Sequence, residues 1–333
     1  MPKCRVLALV TITACSNNTD TTGEPASTTV TLTTTADTTA ADTTPSSSDP
    51  TTTAPDPSTT STTSTTTTTT VDPTTTAETT SETTAESTGA PLACPIGFFC
   101  EDFESHPAGT VPGAPWTADI GDASLLVDTS KSVSGTNAIH LTTGNAYGGR
   151  ALLGINVPEL FPATHLYGRL RMWLTQASPD GVHWTMIAAD GTTQAPGVWG
   201  DQPFAATIRY GGQHQQRLMA NYDTPGYYND SGPGSDCWHH SEQKIPEQAW
   251  TCMEWEFNSD TREMHFWLDG QEVADLTVGG MGQGCINHDT MDQWYYPTLE
   301  NMTFGWVDYQ DGGSRELWID DITIGPSRVG CDP

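Results

Sequence analysis

The sequence predicts an all-β protein, an antiparallel β-sandwich of the jelly-roll type that is preceded by a disordered linker. Three observations support this prediction. The first 92 residues contain almost no material for a core, whereas later segments alternate apolar and polar side chains with a period of two. No window has the residue spacing of a long amphipathic helix. Many antiparallel strands without helices favour a sandwich or a jelly roll.

The linker is identified by its composition. Residues 16–92 are mostly Thr, Ser, Ala, Pro, Asp and Glu, and they include no Lys, Arg, Trp, Tyr or Phe. A segment with so little apolar surface cannot offset the entropy that is lost on folding. We therefore assign residues 15–92 to a disordered acidic linker rich in Thr, Ser and Pro. Residues 93–333 hold all 11 Trp, 9 Tyr and 8 Phe and form the folded domain.

The N-terminus predicts export. Lys3 and Arg5 precede the apolar run Val6–Val10, and small residues come before Cys15. This arrangement is typical of a secretory signal, and a Cys directly after Thr-Ala resembles the bacterial lipobox. We predict a lipoprotein signal peptide over residues 1–14, lipidation of Cys15, and a monomer on the bacterial cell surface or anchored to the outer membrane by lipid alone. A wrongly assigned start of the chain is the alternative, because the apolar run is short.

The charge limits the partners. The net charge of the chain is −29. Ten of the 41 acidic residues lie in the linker, and two of the 12 basic residues lie in the signal region. The domain therefore has 31 acidic and 10 basic residues. So acidic a domain repels nucleic acid phosphates and anionic membrane surfaces, so we exclude nucleic acid as a partner. Solubility explains much of this charge, but acid-rich β-domains also bind Ca²⁺.

Six cysteines lie in the domain, and an even number in an exported chain predicts up to three disulfides. Cys94 and Cys331 bracket the domain, so a bond between them would fasten its two ends. Cys237 and Cys252 would close the segment Trp238–Trp250 as a loop. No pair has the CxxC spacing of a zinc site.

The strands are predicted from alternation and from turn residues. Arg169–Leu174, Met253–Phe257 and Met264–Leu268 alternate cleanly, and Asp269-Gly270 predicts a two-residue hairpin. Further predicted strands are Phe98–Glu104, Ala138–Thr142, Ala151–Asn156, His183–Ala189, Phe204–Tyr210, Arg217–Tyr222, Gln271–Val278, Met302–Val307 and Leu317–Ile324.

Several of these segments resemble a known family. Phe99–Glu104 and Leu317–Ile324 are similar to the first and last strands of concanavalin-like jelly rolls, and Ser134–Leu141 looks like their second strand. A more specific resemblance is carried by the segments His183–Ile187, Arg217–Tyr222 and Cys237–His240. In this order, the motifs resemble the core domain of the cellulose-induced protein family of fungi and bacteria. The resemblance implies a jelly roll with a Ca²⁺ ion and a cleft across one sheet, related in structure to glucuronan and alginate lyases.

The resemblance also implies where a structural Ca²⁺ would bind. The site lies where the first strand, the turn before the second strand and the last strand meet, and these places hold Glu104, Ser134 and Asn137, and Asp320 or Asp321. A carboxylate on an apolar strand face needs a cation or hydrogen-bond donors. The residues on either side of the two aspartates cannot both face inward without a β-bulge. A solvated acidic strand end is the alternative.

A cleft that handles uronate sugars is predicted from strand alternation. A lyase needs a group that neutralises the substrate carboxylate, a base and an acid. His183 lies on the polar face of one predicted strand, Arg209 on that of the next, and Arg217 and Asn221 on that of a third. We predict His183 as a proton-transfer group and Arg209 or Arg217 as the neutralising cation. Arginines paired with neighbouring acids and a histidine within the core are the alternatives.

Loops complete the predicted cleft. Tyr227 and Tyr228 offer a catalytic phenol and a stacking ring, and Trp238, His239 and His240 offer an aromatic wall. Gln216 sits on a turn at the rim.

Together these features predict a surface-tethered domain that cleaves a uronate-containing polysaccharide by lyase-like β-elimination. A non-catalytic carbohydrate-binding lipoprotein module is the main alternative, and a structural surface protein without a ligand is a third. The sequence leaves open whether the domain is an enzyme. Glycosidase chemistry has less support, because Glu254 and Glu256 lack a third acid at the expected offset.

Overall fold

Two antiparallel sheets form the domain. The computed structural model describes residues 94–144, 147–196, 199–225, 232, 234–280, 282, 285–287 and 294–331. The predicted signal peptide, Cys15 and the linker lie outside these residues, so they stay predictions. No helix among the described residues is long and apolar enough to cross a membrane.

Sixteen strands are present in the described part of the chain. They are β1 (Phe99–Glu101), β2 (Thr117–Gly121), β3 (Ala123–Asp128), β4 (Ala138–Thr143), β5 (Arg150–Ile155), β6 (His165–Leu174), β7 (Trp184–Thr193), β8 (Phe204–Gly212), β9 (Arg217–Pro225), β10 (Gly234–Lys244), β11 (Trp250–Asn258), β12 (Glu263–Leu268), β13 (Gln271–Glu272), β14 (Cys285–Asn287), β15 (Thr298–Asp308) and β16 (Glu316–Gly325). Two short 3₁₀ turns, His214–Gln216 and Ala274–Leu276, are the only helical elements described.

The strands divide equally between the sheets. Sheet A has the order β13-β12-β11-β6-β16-β4-β3, with β1 paired to β16, and sheet B has the order β14-β10-β9-β8-β7-β15-β5-β2. Neighbouring strands pair antiparallel throughout. The predicted all-β antiparallel sandwich is therefore confirmed.

Aromatic side chains join the two sheets. Trp255 of β11 packs against Phe304 of β15, with ring centroids 5.6 Å apart, and Tyr210 of β8 stacks on Phe257 of β11 at 5.7 Å. Each of these rings is fully buried. Gly168 makes room for this packing, since a Cβ atom there would lie 2.0 Å from the Trp255 ring. Alternate residues of both sheets thus build one core, as the period-two pattern requires.

Two local predictions are confirmed. Asp269 and Gly270 have φ angles of +46° and +79°, and they join β12 to β13 through the pair Leu268 and Gln271. These are the left-handed conformations that Asp-Gly hairpins adopt. On β16 the register with β6 shifts between Asp320 and Thr323, and Asp321 has a φ of +50°. This is the predicted bulge.

The strand predictions miss four described strands and overextend another. β2, β3 and β14 are absent from them, and so is β10, which occupies part of the segment expected to be a loop between Cys237 and Cys252. The strand predicted at Gln271–Val278 is only the two-residue β13 followed by a 3₁₀ turn. β2 is exposed and β14 is short, so they lack the clean alternation on which the predictions depend. β10 is long, but its polar run His239–Lys244 does not alternate either.

The predicted presence of disulfides is confirmed, but both suggested pairings, Cys94 with Cys331 and Cys237 with Cys252, are wrong. Cys94 bonds Cys100, and Cys252 bonds Cys331. A turn closed by the hydrogen bond from the Phe98 N–H to the Pro95 carbonyl returns Cys94 to β1. The C-terminal segment after β16 runs back across sheet A and so brings Cys331 to β11. Cys237 is also disulfide-bonded, and its main chain lies opposite that of Cys285 between β10 and β14.

Candidate functional site

A row of side chains from adjacent strands crosses the face of sheet B that points away from the core, here called the outer face. Arg209 of β8 lies opposite Asn221 of β9, which lies opposite Trp238 of β10. Directly opposed residues of antiparallel strands project to the same face, so these three side chains lie together. Their strand neighbours Ile208 and Tyr222 are buried in the core. Strand alternation therefore places Arg209 and Asn221 as predicted.

Three groups capable of proton transfer or charge stabilisation meet at Tyr309, directly after β15. The Nη1 of Arg209 donates to the phenolic oxygen of Tyr309 at 3.2 Å, and the hydroxyl of Thr185 lies 3.3 Å from the same oxygen. The imidazole of His183 packs against the Tyr309 ring, with centroids 4.7 Å apart. The Tyr309 N–H donates to the His183 carbonyl at 2.8 Å. This backbone contact fixes the imidazole and the phenol beside each other.

Burial sets the protonation state of His183. It lowers the pKa of His183 to about 4, and the positive charge of Arg209 and the nearby His240 add to the shift. The Nε2 atom is buried and has no hydrogen-bond partner within the described ranges. An imidazole that stays neutral above this pH can accept a proton at an unprotonated nitrogen. His183 is therefore neutral and can accept a proton, and its lowered pKa makes it a weaker base than a free imidazole.

Acidic residues surround Arg209. Its Nη2 donates to Asp223 Oδ1 at 2.8 Å in a largely buried ion pair. Burial opposes the charged guanidinium, but Asp223, Tyr309 and Asp190 outweigh this effect, so the pKa of Arg209 lies above its ordinary value. Burial raises the pKa of Asp223, with Arg209 opposing and Asp190 adding to the shift. The predicted alternative of an arginine paired with an acid thus holds for this residue.

The centre of the outer face is largely buried. Met219, Thr185 and Asn221 have exposed fractions of 2%, 3% and 3%, although they lie on the face that points away from the core. Side chains on an open sheet face would be solvated. We call this largely buried part of the outer face, where the arginine, histidine and tyrosine groups meet, the recess; electrostatic interactions between buried groups are stronger than in bulk water.

Arg217 and Gln216 lie at the edge of this face. Arg217 binds Glu242 through two contacts, Nη1 to Oε1 at 3.0 Å and Nη2 to Oε2 at 2.9 Å. Gln216 lies in the turn before β9, and its carbonyl accepts the N–H of Ile245 at 3.0 Å. Among the described residues, Arg209 contacts the Tyr309 phenol, whereas Arg217 contacts Glu242 instead.

The predicted aromatic wall divides between two faces, because β10 alternates. Trp238 and His240 share the outer face, with ring centroids 5.3 Å apart, and His240 also lies 5.5 Å from the ring of His214. His239 projects to the opposite face, where its ring lies 6.3 Å from that of the core residue Tyr222. The structure does not bring His239 to the recess. Tyr227 and Tyr228 lie outside the described residues.

The predicted calcium ligands gather around the loop before β4. The carboxylate of Glu104 accepts the backbone N–H groups of Thr136 at 2.7 Å and Asn137 at 2.6 Å. The amide of Asn137 donates to the carbonyls of Phe103 at 3.1 Å and His106 at 3.2 Å. The loop is therefore fastened to the chain just after β1.

The last strand contacts the same loop through two buried carboxylates. Asp320 Oδ2 accepts the N–H of Val133 at 2.7 Å, and the Ser134 hydroxyl donates to Asp321 Oδ1 at 2.6 Å. Burial raises the pKa of Asp320 to about 7, and the charge of Asp321 adds to the shift. This places Glu104, Ser134, Asn137, Asp320 and Asp321 around one loop, as expected.

The donor chemistry of this cluster fits Ca²⁺. All five side chains offer oxygen, which calcium prefers. Arg169 and Arg171 act on Asp321, whereas the buried carboxylate of Asp320 is stabilised, among the described residues, by backbone N–H groups alone, so a further cation would stabilise it. Glu104, Asp320 and Asp321 do not place one carboxylate oxygen each within 4.8 Å of one another, so all three carboxylates do not reach one ion in this arrangement. An ion here would be bound by only part of this carboxylate set, together with the hydroxyl of Ser134 or the amide oxygen of Asn137.

Comparison with known proteins places the chain in a family. Residues 102–327 match the polysaccharide lyase-like family described as "Cip1-like, core domain". The chain belongs to this family. The resemblance inferred from the motifs is thereby confirmed.

The chain is also similar in fold to several solved structures. A structure of the cellulose induced protein Cip1 is 25% identical, with a TM-score of 0.50, and the alignment covers 70% of this chain and all of that one. The endo-β-1,4-glucuronan lyase of the fungus Trichoderma reesei is 14% identical, with a TM-score of 0.45, over 69% of this chain and 95% of that one. The alginate lyase Aly36B is 12% identical, with a TM-score of 0.42, over 72% of this chain and all of that one. No curated protein matches the sequence significantly.

Sequence reasoning missed three residues of the recess in this Cip1-like domain. Tyr309 follows the end of β15, where alternation no longer indicates a direction. Asp190 and Asp223 lie on strands that alternate, and Asp223 is two residues after Asn221 on the same face. The argument that selected Asn221 would therefore have found Asp223 had the strand been continued past Tyr222.

Proposed function

We propose that the domain cleaves a uronate-containing polysaccharide by lyase-like β-elimination. The observation that supports this most is the meeting of His183, Arg209 and Tyr309 in one recess of the outer face. A neutral imidazole, a cation and a phenol are the group types that such a reaction requires. The polysaccharide lyase-like name of the family agrees with this proposal.

Each group has a role in the reaction. His183 accepts the proton alpha to the uronate carboxylate, and the electron pair of that C–H bond forms the new double bond as the glycosidic C–O bond breaks. Tyr309 donates its proton to the leaving oxygen, and Arg209 stabilises the negative charge that develops on the carboxylate or on the phenolic oxygen. The proton on His183 returns to Tyr309 through solvent, so the enzyme is restored and no co-reactant is consumed.

The test is the appearance of unsaturated sugars. The full chain is mixed with a panel of uronate-containing polysaccharides, which includes the homopolymers glucuronan and alginate and heteropolysaccharides with isolated uronates. At least one of them should yield products that absorb in the ultraviolet. His183→Ala and Tyr309→Phe should each abolish most of this signal. His140→Ala and Tyr167→Phe, which change the same residue types in sheet A, should retain it. If no polymer in the panel gives product, the lyase proposal is wrong.

A second candidate function is favoured by the ion pairs. Arg209 is paired with Asp223, and Arg217 with Glu242. Cations compensated in this way suit a non-catalytic module that holds a glycan without cutting it. Affinity electrophoresis distinguishes the two functions. If a polysaccharide retards both the unmodified protein and His183→Ala, and the unmodified protein forms no product from it, the domain binds the glycan without cleaving it.

We also propose a structural Ca²⁺ at the loop before β4, with its ligands drawn from Glu104, Ser134, Asn137, Asp320 and Asp321. The ion would supply positive charge to the buried carboxylates and so fasten the loop between β3 and β4 to the last strand. It would take no part in the elimination. A rise in melting temperature on adding Ca²⁺ to chelator-treated protein tests this proposal.

The location proposed for the protein is the bacterial cell surface. The basic start, the apolar run and the position of Cys15 support export as a lipoprotein. The polysaccharide is then an extracellular partner, and the lipid is the only membrane contact. Cys15→Ser should release the protein from the membrane fraction, and retention in that fraction would contradict the anchor.

A further inference from the structure

Hydrogen-bond acceptors line the recess next to Arg209. Thr207 of β8 lies opposite Asp190 of β7 on one side and Asp223 of β9 on the other. All three side chains therefore lie on the outer face, one alternation step from the row of Arg209. The Thr207 hydroxyl donates to Asp190 Oδ1 at 2.6 Å, which leaves the second carboxylate oxygen of Asp190 for another donor. Carboxylates thus stand on both sides of Thr207.

Asn221 adds an acceptor that the described residues leave unsatisfied. The side chain is 3% exposed, and its Nδ2 donates to the Cys237 carbonyl at 3.3 Å. Its Oδ1 is buried and has no hydrogen-bond partner in the described part of the chain. Leaving a buried carbonyl oxygen unpaired is unfavourable, so the position favours a ligand that brings a donor. Trp238 lies opposite Asn221 on the same face and offers an indole ring for stacking.

The charges of the recess do not favour several carboxylates on the ligand. The positive charge of Arg209 is balanced by Asp223, and that of Arg217 by Glu242. His183 is neutral above about pH 4. Asp190 therefore leaves an excess of negative charge beside Arg209. One substrate carboxylate at Arg209 is tolerated, but a second one on the adjoining sugar would face Asp190 and Asp223 where burial weakens screening by water.

On the basis of the proposed lyase function, we infer that the sugar beside the reacting uronate is uncharged and that its hydroxyl groups donate to Asp190, Asp223 and Asn221. The substrate is then a heteropolysaccharide in which isolated uronates are separated by neutral sugars. A homopolymer of uronates would be a poor substrate. Hydroxyl groups satisfy acceptors, whereas a carboxylate supplies none of the missing donors and is repelled.

The experiment compares two polymers. One is glucuronan, in which every sugar is a uronate, and the other is a bacterial polysaccharide with one glucuronate in a repeat of otherwise neutral sugars. The ratio of their kcat/KM values is measured with the full chain, with Asp190→Asn and with Glu316→Gln. Asn at position 190 keeps an oxygen acceptor for Thr207 but removes the charge. Glu316 lies on sheet A, so its change alters the net charge equally, away from the recess.

The unmodified protein should have the higher kcat/KM for the polymer with isolated uronates, and Asp190→Asn should reduce the ratio of the two kcat/KM values about tenfold. Glu316→Gln should leave the ratio unchanged, and the effect of Asp190→Asn should shrink at high ionic strength. Equal or better cleavage of glucuronan by the unmodified protein, or an unchanged ratio in Asp190→Asn, would overturn the inference while lyase activity stands.

Failure of the lyase function is distinguishable from failure of this inference. If neither polymer is cut, the elimination proposal is wrong, and the same variants are compared by affinity electrophoresis on the two polymers. Stronger retardation by the polymer with isolated uronates, lessened by Asp190→Asn, supports the neutral-sugar subsite. Equal retardation by both polymers, or none by either, overturns it.

Discussion

Removal of the Cys252–Cys331 disulfide should destabilise the domain far more than removal of Cys94–Cys100. The first bond joins residues 79 positions apart, and the second joins residues 6 positions apart. A crosslink limits the unfolded chain more when it closes a longer loop. The loop-closure relation gives about 4.5 kcal/mol for the long loop and about 2 kcal/mol for the short one at 25 °C.

Other contacts should keep the C-terminal segment in place when the long-range bond is removed. Arg328 Nη2 donates to Glu254 Oε2 at 2.6 Å, and the N–H of Gly330 donates to Glu254 Oε1 at 2.8 Å. The guanidinium of Arg328 also lies over the Trp267 ring, 4.4 Å from its centroid. The buried carboxylate of Glu254 thus stays compensated. The measured loss should therefore reflect the crosslink rather than an exposed charge.

The assay is equilibrium unfolding by denaturant of two double variants, Cys252→Ser with Cys331→Ser and Cys94→Ser with Cys100→Ser. The long-loop variant should lose about 2 kcal/mol more stability than the short-loop variant. The slope of the transition reports any change in the surface that unfolding exposes. An equal loss in both variants, or a larger loss in the short-loop variant, would refute the loop-closure reasoning.

Three further predictions concern the recess and the ion. The pKa of His183 in the folded protein is about 4, below the ordinary value of 6.5, so kcat/KM should fall only near pH 4. As the pH falls, His183 of the unfolded chain binds a proton before that of the folded protein, so the free energy of unfolding should drop by up to about 3 kcal/mol between pH 6.5 and 4. His183→Gln should remove this loss when unfolding is measured as a function of pH. Tyr309→Phe should lower kcat roughly 10²- to 10⁴-fold with little change in KM, as steady-state kinetics will measure. Ca²⁺ at about 100 times its Kd should stabilise the domain by about 2.7 kcal/mol, and Asp320→Asn should abolish this shift in calorimetry.

The fold was predictable where a strand has one apolar face and one polar face. β6, β11 and β12 alternate cleanly, and the Asp269-Gly270 turn needs left-handed conformations that few other dipeptides adopt. β2 gave no such signal, because four of its five residues are exposed at the edge of sheet B. An edge strand without a buried face resembles a loop in sequence. The pairing of Cys252 with Cys331 depends on the path of the C-terminal segment, which periodicity does not describe.

The candidate site shows the same limit. Arg209 and Asn221 were found because their strands were recognised, and alternation then fixed their face. His239 was placed with Trp238 because β10 was not recognised, so its alternation was never applied. Tyr309 lies beyond a strand end, where direction is set by the tertiary contact of its N–H with the His183 carbonyl.

The ion pair between Arg209 and Asp223 is compatible with catalysis. A guanidinium has five N–H donors, and the contacts with Asp223 and Tyr309 involve its two Nη atoms. Its Nε is buried and has no partner among the residues that the structure describes. Burying an unpaired arginine is unfavourable, and the ion pair with Asp223 offsets this penalty. Asp223 therefore allows a cation to lie beside the phenol before the substrate binds. The pair therefore positions Arg209 without consuming all its donors, and proton transfer by His183 and Tyr309 does not require that the pair break.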